Sequence, residues 1–192
     1  MSILETDGEQ LLTALRSVLA AKGIASAAEI AERIAIIDQA SPARGAAMVA
    51  KAWTDPEFRA LMLADGTRAA EALDVPMRGT SPLGVLENTA DVHNLVVCTL
   101  CSCYPRAVLG YPPFWYKSAA YRARAVRDPR GLLLEWGTVL PDGVKVRVVD
   151  STADYRWMVL PLRPAGTERW SEAQLAAIVR EGDMIGVTVP SA

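Results

Sequence analysis

Apolar residues recur every three or four positions along the first seventy residues, which is the spacing of amphipathic helices. The first helix places its apolar side chains on one face: Leu12, Leu15, Val18 and Leu19. Ser26 and Glu29 have the spacing of a capping box that opens a second helix. Ser41-Pro42 and Asp55-Pro56 are typical starts of two more helices, because proline is tolerated at a first helical position. A short fifth helix is expected over residues 67–73.

The pattern changes after residue 75. Residues 76–84 hold two prolines and two glycines and indicate a linker, and residues 104–113 hold three prolines and indicate a rigid irregular loop. Strands are expected where apolar and β-branched residues gather or alternate, over 95–97, 144–149 and 155–160. Helices are expected between them and at the end: 117–126, a short one from 129 to Gly137, and one from Ser171 to about Gly182. These elements predict an α+β fold, with a helical N-terminal arm of residues 1–75 and a mixed body of residues 76–192.

Composition narrows the function classes. The chain is 51% hydrophobic and 22% charged, so it has enough apolar material for a core. Its 20 Lys and Arg residues are spread out, so no basic stripe suggests nucleic acid as a partner. The N-terminus is acidic where a secretory signal is basic, and no run approaches the ~18 apolar residues of a membrane span. A cytoplasmic protein without a membrane partner is expected.

All three cysteines lie within six residues, as Cys98, Cys101 and Cys103. A disulfide framework spreads its cysteines over distant segments, so this cluster indicates a metal site instead. Structural zinc takes four side-chain ligands, and the only histidine, His93, is expected at a strand edge or on the surface rather than as a ligand. An iron–sulfur cluster is also one cysteine short.

A low-spin trivalent ion fits the donor set better, because it also binds deprotonated main-chain amides. Three sulfurs and the amides of Ser102 and Cys103 would fill five positions of an octahedron and leave the sixth open, as catalytic metals require. The spacing alone nevertheless leaves a structural zinc site or buried reduced thiols open as alternatives.

The segment from His93 to Pro105 resembles the claw loop of the nitrile hydratase α subunit, and Thr99 resembles the cobalt-type members. The resemblance extends over most of the chain, from about Leu12 to the end. The residues that carry it outside the loop include Trp53, Asp55-Pro56, Glu87-Asn88-Thr89, Trp115-Tyr116-Lys117, Tyr121-Arg122, Pro129-Arg130-Gly131, Asp150-Ser151 and Met184 to Val187. The γ subunit of thiocyanate hydrolase carries a similar loop, so the motif does not distinguish nitrile hydratase from thiocyanate hydrolase.

The resemblance implies an extended helical arm on a layered α-β-β-α body. It implies one cobalt(III) ion per chain, rather than iron, bound by the sulfurs of Cys98, Cys101 and Cys103 and the amides of Ser102 and Cys103. The resemblance also implies that Cys101 is oxidised to a sulfinate and Cys103 to a sulfenate. The implied reaction adds water to a nitrile to give an amide, with Cys103 and the Ser102 hydroxyl as catalytic groups. Two nucleophiles stay open: a water molecule activated by the ion, or the sulfenate oxygen of Cys103. The implied partners are a β subunit, which would cover the arm and supply arginines, and a cobalt-loading activator protein.

Two departures from the family concern the substrate. Arg106 stands where many members have tryptophan, and residues 76–97 lack the pocket glutamine that is common there. A guanidinium in place of an indole adds a fixed cation and five donors, which favours a large, polar or anionic nitrile, such as the nucleoside nitriles of toyocamycin-type enzymes. Two alternatives stay open: the γ subunit of a thiocyanate hydrolase, and a non-enzymatic zinc-binding interaction module.

Overall fold

The computed structural model describes residues 3–192, the first four of them by their backbone alone. The helices are α1 (Ile3–Ala21), α2 (Ala27–Asp38), α3 (Pro42–Thr54), α4 (Pro56–Ala64), α5 (Gly66–Glu71), α6 (Arg106–Leu109), α7 (Phe114–Lys117), α8 (Ala119–Arg127), α9 (Pro129–Glu135), α10 (Glu172–Ile178) and α11 (Glu181–Ile185). The strands are β1 (Leu83–Glu87), β2 (Val92–Val97), β3 (Lys145–Asp150) and β4 (Arg156–Leu160). This mixture confirms the predicted α+β class. None of the helices within the described residues combines the length and apolar character that a membrane span requires.

The contacts group the chain into two compact units, residues 1–39 and residues 40–192. Helices α3 to α5 belong to the second unit, where α3 packs against α4, α6 and α10 and α4 packs against β1. The arm boundary expected between residues 75 and 76 stays a prediction. In the first unit, the predicted capping box of Ser26 and Glu29 is present at the start of α2. Helix α2 has no buried residue, and Leu11, Leu15 and Ile24 are more than half exposed.

Two parallel strand pairs lie at the centre of the second unit. Strand β1 pairs with β4, and β2 pairs with β3 in a register that places Val97 opposite Asp150. The end of β2 is completely buried, because Leu95, Val96 and Val97 have no exposed surface. Because the carboxyl ends of parallel strands meet at one edge, the segments that follow β2 and β3 begin side by side.

Three expectations about secondary structure need correction. The linker expected over 76–84 ends early, because Leu83 and Gly84 begin β1; a Cβ at Gly84 would meet the rings of Tyr155 and Trp157 within 2.6 Å. The loop expected over 104–113 contains α6. The last helix is broken, since α10 ends at Ile178 and α11 follows from Glu181 to Ile185; Gly186, the residue after α11, is in the left-handed conformation at φ +85°.

His93 was expected at a strand edge or on the surface, and it is only 4% exposed. Its Nε2 lies 2.7 Å from the carbonyl oxygen of Gly186, which can only accept, so Nε2 carries the proton. Its Nδ1 then accepts from the Asn88 side-chain amide at 3.2 Å. Burial lowers the pKa of His93 below its ordinary 6.5, so the folded protein holds a neutral imidazole. Gly186 allows this approach, because a Cβ there would lie 1.9 Å from the Asn94 carbonyl oxygen.

We expect this histidine to make the second unit less stable in mild acid. Below about pH 6.5, His93 becomes protonated in the unfolded chain but stays neutral in the folded chain. The free energy of unfolding therefore decreases as the pH is lowered, until the pH reaches the lowered pKa of His93 in the folded state. The slope is at most about 1.4 kcal/mol per pH unit. Urea unfolding at about pH 7.5 and about pH 5.5, followed by tryptophan fluorescence, measures it, since all five tryptophans lie beyond residue 39. An equal loss of stability in wild type and His93→Gln would contradict this account.

Candidate metal centre

Three sulfur atoms converge where the chain leaves β2. The Sγ atoms of Cys98 and Cys101 lie 3.4 Å apart, and those of Cys101 and Cys103 lie 3.2 Å apart. All three lie within 4.8 Å of one another, and none is in a disulfide. Cys98 and Cys103 are buried, whereas Cys101 is exposed. One short loop thus offers three soft donors to a single ion from one side.

The spacing of these sulfurs fits an octahedral ion better than a tetrahedral one. Sulfurs bound at about 2.3 Å lie about 3.8 Å apart at the corners of a tetrahedron, but about 3.3 Å apart at neighbouring corners of an octahedron. The Cys98–Cys101 and Cys101–Cys103 separations, 3.4 and 3.2 Å, lie near the octahedral value. The donor set therefore fits the trivalent ion that the resemblance implies, and it fits structural zinc less well.

The loop also favours a negative charge on Cys101. Hydrogen bonds from the thiols of Cys103 and Cys98 and from the main-chain amide of Ser102 lower the pKa of Cys101 to about 7. Burial, reinforced by hydrogen bonding with Cys101, raises the pKa of Cys103 to about 12, and the nearby cation of Arg156 only partly opposes this. Without a cation, Cys101 thus loses its proton far more readily than Cys103. A bound metal ion replaces the thiol protons, which couples its binding to proton release.

Asp150 holds the start of the loop. Its carboxylate accepts two hydrogen bonds from Thr99, one from the main-chain N–H at 3.0 Å and one from the hydroxyl at 2.5 Å. Asp150 reaches Thr99 because it lies opposite Val97 in the parallel pair, where the Ser151 N–H also donates to the Val97 carbonyl oxygen at 2.7 Å. The β2–β3 register therefore fixes the residue that follows Cys98.

Side chains of α7 and α8 hold the rest of the loop by its carbonyl oxygens. The Tyr116 hydroxyl donates to the Cys103 carbonyl oxygen at 2.9 Å, and Arg122 Nη1 donates to that of Leu100 at 3.1 Å. Tyr121 binds the Val96 carbonyl oxygen at 2.6 Å, just before the loop. Burial raises the pKa values of both tyrosines, so they stay protonated as donors. The loop is thus held on both sides by groups that leave the sulfurs free.

The residue after Cys103 makes a buried hydrogen bond to a carboxylate. Tyr104 follows Cys103, is 3% exposed and donates its hydroxyl to the Glu181 carboxylate at the start of α11. Its ring meets that of Tyr116 edge-on, with centroids 4.9 Å apart. Burial raises the pKa of Glu181, and the hydrogen bond from Tyr104 opposes that shift. Tyr104 and Tyr116 thereby fix the main chain on either side of the Cys103 carbonyl.

The other predicted site residues are placed as follows. Ser102 is half-buried between Cys101 and Cys103, and its main-chain amide hydrogen-bonds Cys101. Arg106 begins α6 and is exposed, with its guanidinium 5.3 Å above the centre of the Tyr111 ring. The catalytic role of Ser102 and the substrate-binding role of Arg106 stay predictions.

Sequence reasoning gave Asp150, Tyr116 and Arg122 no role in holding the claw loop. Asp150 directly follows the strand predicted over 144–149, but only the parallel pairing of that strand with the cysteine strand gives this position a meaning, and the sequence does not show the pairing. The two others carried no signal, because their bonds go to main-chain oxygens that lie 13 and 22 residues away in the chain.

The comparisons with known proteins agree with this geometry. The family model for the nitrile hydratase alpha chain matches residues 6–188. The alpha subunit of the low-molecular weight cobalt-containing nitrile hydratase of Rhodococcus rhodochrous is 49% identical over 93% of this chain and 86% of its own length. The gamma subunit of thiocyanate hydrolase of Thiobacillus thioparus is 42% identical over 96% of this chain and 81% of its own length.

A solved structure has the same fold. An iron-type nitrile hydratase of Comamonas testosteroni, carrying a double histidine-to-alanine mutation, superimposes with a TM-score of 0.84 at 42% identity, over 97% of this chain and 92% of that one. Fold and site thus define a metal-binding subunit with a three-cysteine claw loop. This chain belongs to the nitrile hydratase α-chain family.

Proposed function

We propose that this chain is the metal-binding catalytic α subunit of a cobalt-type nitrile hydratase, which adds water to the carbon–nitrogen triple bond of a nitrile and yields an amide. The observation that carries the proposal is the convergence of three sulfurs on one loop, within 4.8 Å of one another. The support from comparison is the 49% identity to a subunit whose name specifies cobalt.

The ligands in this proposal are the sulfurs of Cys98, Cys101 and Cys103 and the main-chain amides of Ser102 and Cys103. When bound, cobalt(III) would supply a Lewis acid that polarises the nitrile or acidifies a bound water. In the mature site that the family implies, Cys101 carries two added oxygens and Cys103 one, and such oxidation follows thiolate character. The lowered pKa of Cys101 and its exposure are consistent with that sulfur being oxidised further.

The rest of the chain prepares the reaction by holding these groups still. Asp150 orients the loop where it leaves β2, and Tyr116 orients the carbonyl of Cys103. Fixed geometry of this kind lowers the barrier, because no reorganisation is needed when the reacting atoms meet. Ser102 lies between Cys101 and Cys103, the two oxidised positions. Its hydroxyl is proposed to donate a hydrogen bond to the attacking oxygen, whether that oxygen belongs to the Cys103 sulfenate or to water.

Arg106 is proposed to bind a polar or anionic part of the substrate beside the loop. Its guanidinium already lies above Tyr111, so cation and ring form one polar-aromatic surface. We expect Arg106→Trp to lower kcat/KM for an anionic nitrile by about tenfold or more and to raise it for a small apolar nitrile. Steady-state kinetics on both substrates measure this, with Arg169→Trp, an exposed position in another part of the chain, as the control. Equal changes for both substrates would contradict a role in specificity.

Thiocyanate hydrolysis is the second candidate, because a thiocyanate hydrolase γ subunit is 42% identical over 96% of this chain. Both reactions add water to a carbon–nitrogen triple bond, so the claw loop would serve either. The products distinguish them, since a nitrile yields an amide and thiocyanate yields carbonyl sulfide. An assay of the same preparation with both substrates decides between the two.

The proposal also requires partners: a β subunit that completes the pocket and an activator that loads cobalt. The exposed apolar side chains of the first unit, such as Leu11 and Ile24, support a covering partner. The test is to purify the chain from its host and to compare the nitrile hydration of the complex with that of the isolated chain. The complex is expected to hydrate the nitrile and the isolated chain to be nearly inactive. Full activity from the isolated chain would contradict the need for a β subunit.

A further inference from the structure

A cleft of about 400 Å³ lies against the claw loop on the side of α8. Its walls are small or apolar except for two arginines, and its lining residues are Thr99, Ala119, Arg122, Ala123, Val126 and Arg127. Thr99 belongs to the loop itself, and Leu100, which follows it, is 89% exposed. The cleft therefore adjoins the metal centre without containing any of its sulfurs.

Arg122 has a buried donor that nothing in the described chain satisfies. Its Nη1 donates to the Leu100 carbonyl oxygen, but its Nε is buried and has no hydrogen-bond partner. A buried unsatisfied donor is costly, and more so when it is charged, so an acceptor is expected to reach it. That acceptor has to come from outside the part of the chain that the structure describes.

Arg127 adds a second positive charge to the same cleft. It is exposed, and among the described side chains, residues 7–192, neither Arg127 nor Arg122 takes part in an ion pair. Arg124, on the same helix, is by contrast paired with Asp128 and Glu135. Asp150, the acidic residue of β3 that binds Thr99, already accepts two hydrogen bonds from it.

We propose that this cleft receives a carboxylate side chain, Asp or Glu, of the partner subunit, an inference that rests on the proposed function because it needs that partner. A carboxylate accepts from several guanidinium donors at once, so one side chain would satisfy Arg122 Nε and neutralise Arg127. The small side chains of Ala119 and Ala123 leave room for it to enter. Because Arg122 also holds the Leu100 carbonyl oxygen, the partner's carboxylate would steady the claw loop when the subunits assemble.

Zero-length cross-linking of the complex tests the proposal. Arg127→Lys places a primary amine in the cleft, and a carbodiimide joins an amine to a carboxylate that contacts it. We expect a cross-linked peptide between position 127 and one Asp or Glu of the partner subunit. Arg169→Lys is the matched control, because Arg169 is also exposed and, like Arg127, is in no ion pair among the described side chains. It is expected to give no such product.

Charge reversal gives an independent readout. We expect Arg127→Glu to raise the dissociation constant of the complex by about tenfold or more at low salt, and the difference from Arg169→Glu to shrink at about 0.5 M salt. Equal dissociation constants for both variants, with no cross-link at position 127, would overturn the cleft proposal alone. A wild-type chain that purifies as a fully active single subunit would overturn this proposal and the proposed need for a β subunit together.

Discussion

Replacing Cys103 by serine is expected to reduce nitrile hydration by the complex by about a thousandfold or more. A serine hydroxyl is a harder and far less acidic donor than a thiol, and it cannot be oxidised to a sulfenate. The substitution thus removes a ligand and the proposed reacting oxygen together. We expect the cobalt content per chain, measured by elemental analysis, to fall as well.

The control for this prediction is Val139→Ser, which introduces the same side chain at an exposed position. Activity and cobalt content of that variant are expected to stay at the wild-type level. If Cys103→Ser keeps more than about a tenth of the wild-type activity, neither metal binding nor catalysis depends on that sulfur, and the site is assigned wrongly.

The second large effect is expected at Asp150, which touches none of the proposed ligands. Asp150→Asn keeps the shape of the side chain but removes its charge and one of the two acceptors that Thr99 uses. Groups that orient metal ligands typically contribute about 10- to 100-fold to affinity or activity, and we expect a loss in that range. Cobalt retention during dialysis against a chelator measures the loss of metal affinity, and kcat of the cobalt-loaded complex measures the loss of activity.

Asp142→Asn is the matched control, because Asp142 lies in an exposed turn before β3 and has no hydrogen bond among the described residues. Thr99→Val gives a second test, since it removes the hydroxyl donor of the same contact. The double variant is expected to lose little more than either single variant, because both disrupt one interaction. Fully additive losses would show that Asp150 acts on the loop by another route.

The sequence predicted best those features that depend on neighbouring residues. The capping box of Ser26 with Glu29 is present where the spacing placed it, and Ser171 caps the start of α10 as expected. Asp55 caps α4 through the N–H groups of Glu57 and Phe58. Such caps are local hydrogen bonds, so the residue types within one turn determine them. The claw loop was predictable for the same reason, because all three cysteines belong to one short segment.

Features that depend on distant contacts were not predictable. Strands were expected near β2 and β3, but a single sequence does not show that they pair in parallel, and that pairing brings Asp150 to Thr99. His93 was misplaced because its Nε2 binds the carbonyl oxygen of Gly186, which lies 93 residues further along the chain. The unsatisfied Nε of Arg122 becomes visible only once α8 is packed beside the loop.

The most direct test of the account is mass spectrometry of the loop peptide, combined with metal analysis, on the complex purified from its host. We predict one cobalt per chain, two added oxygens on Cys101, one on Cys103 and none on Cys98. A structural zinc site gives the sulfurs no reason to be oxidised. One zinc per chain, with three unmodified thiols, would contradict the assignment of this loop as a catalytic cobalt centre.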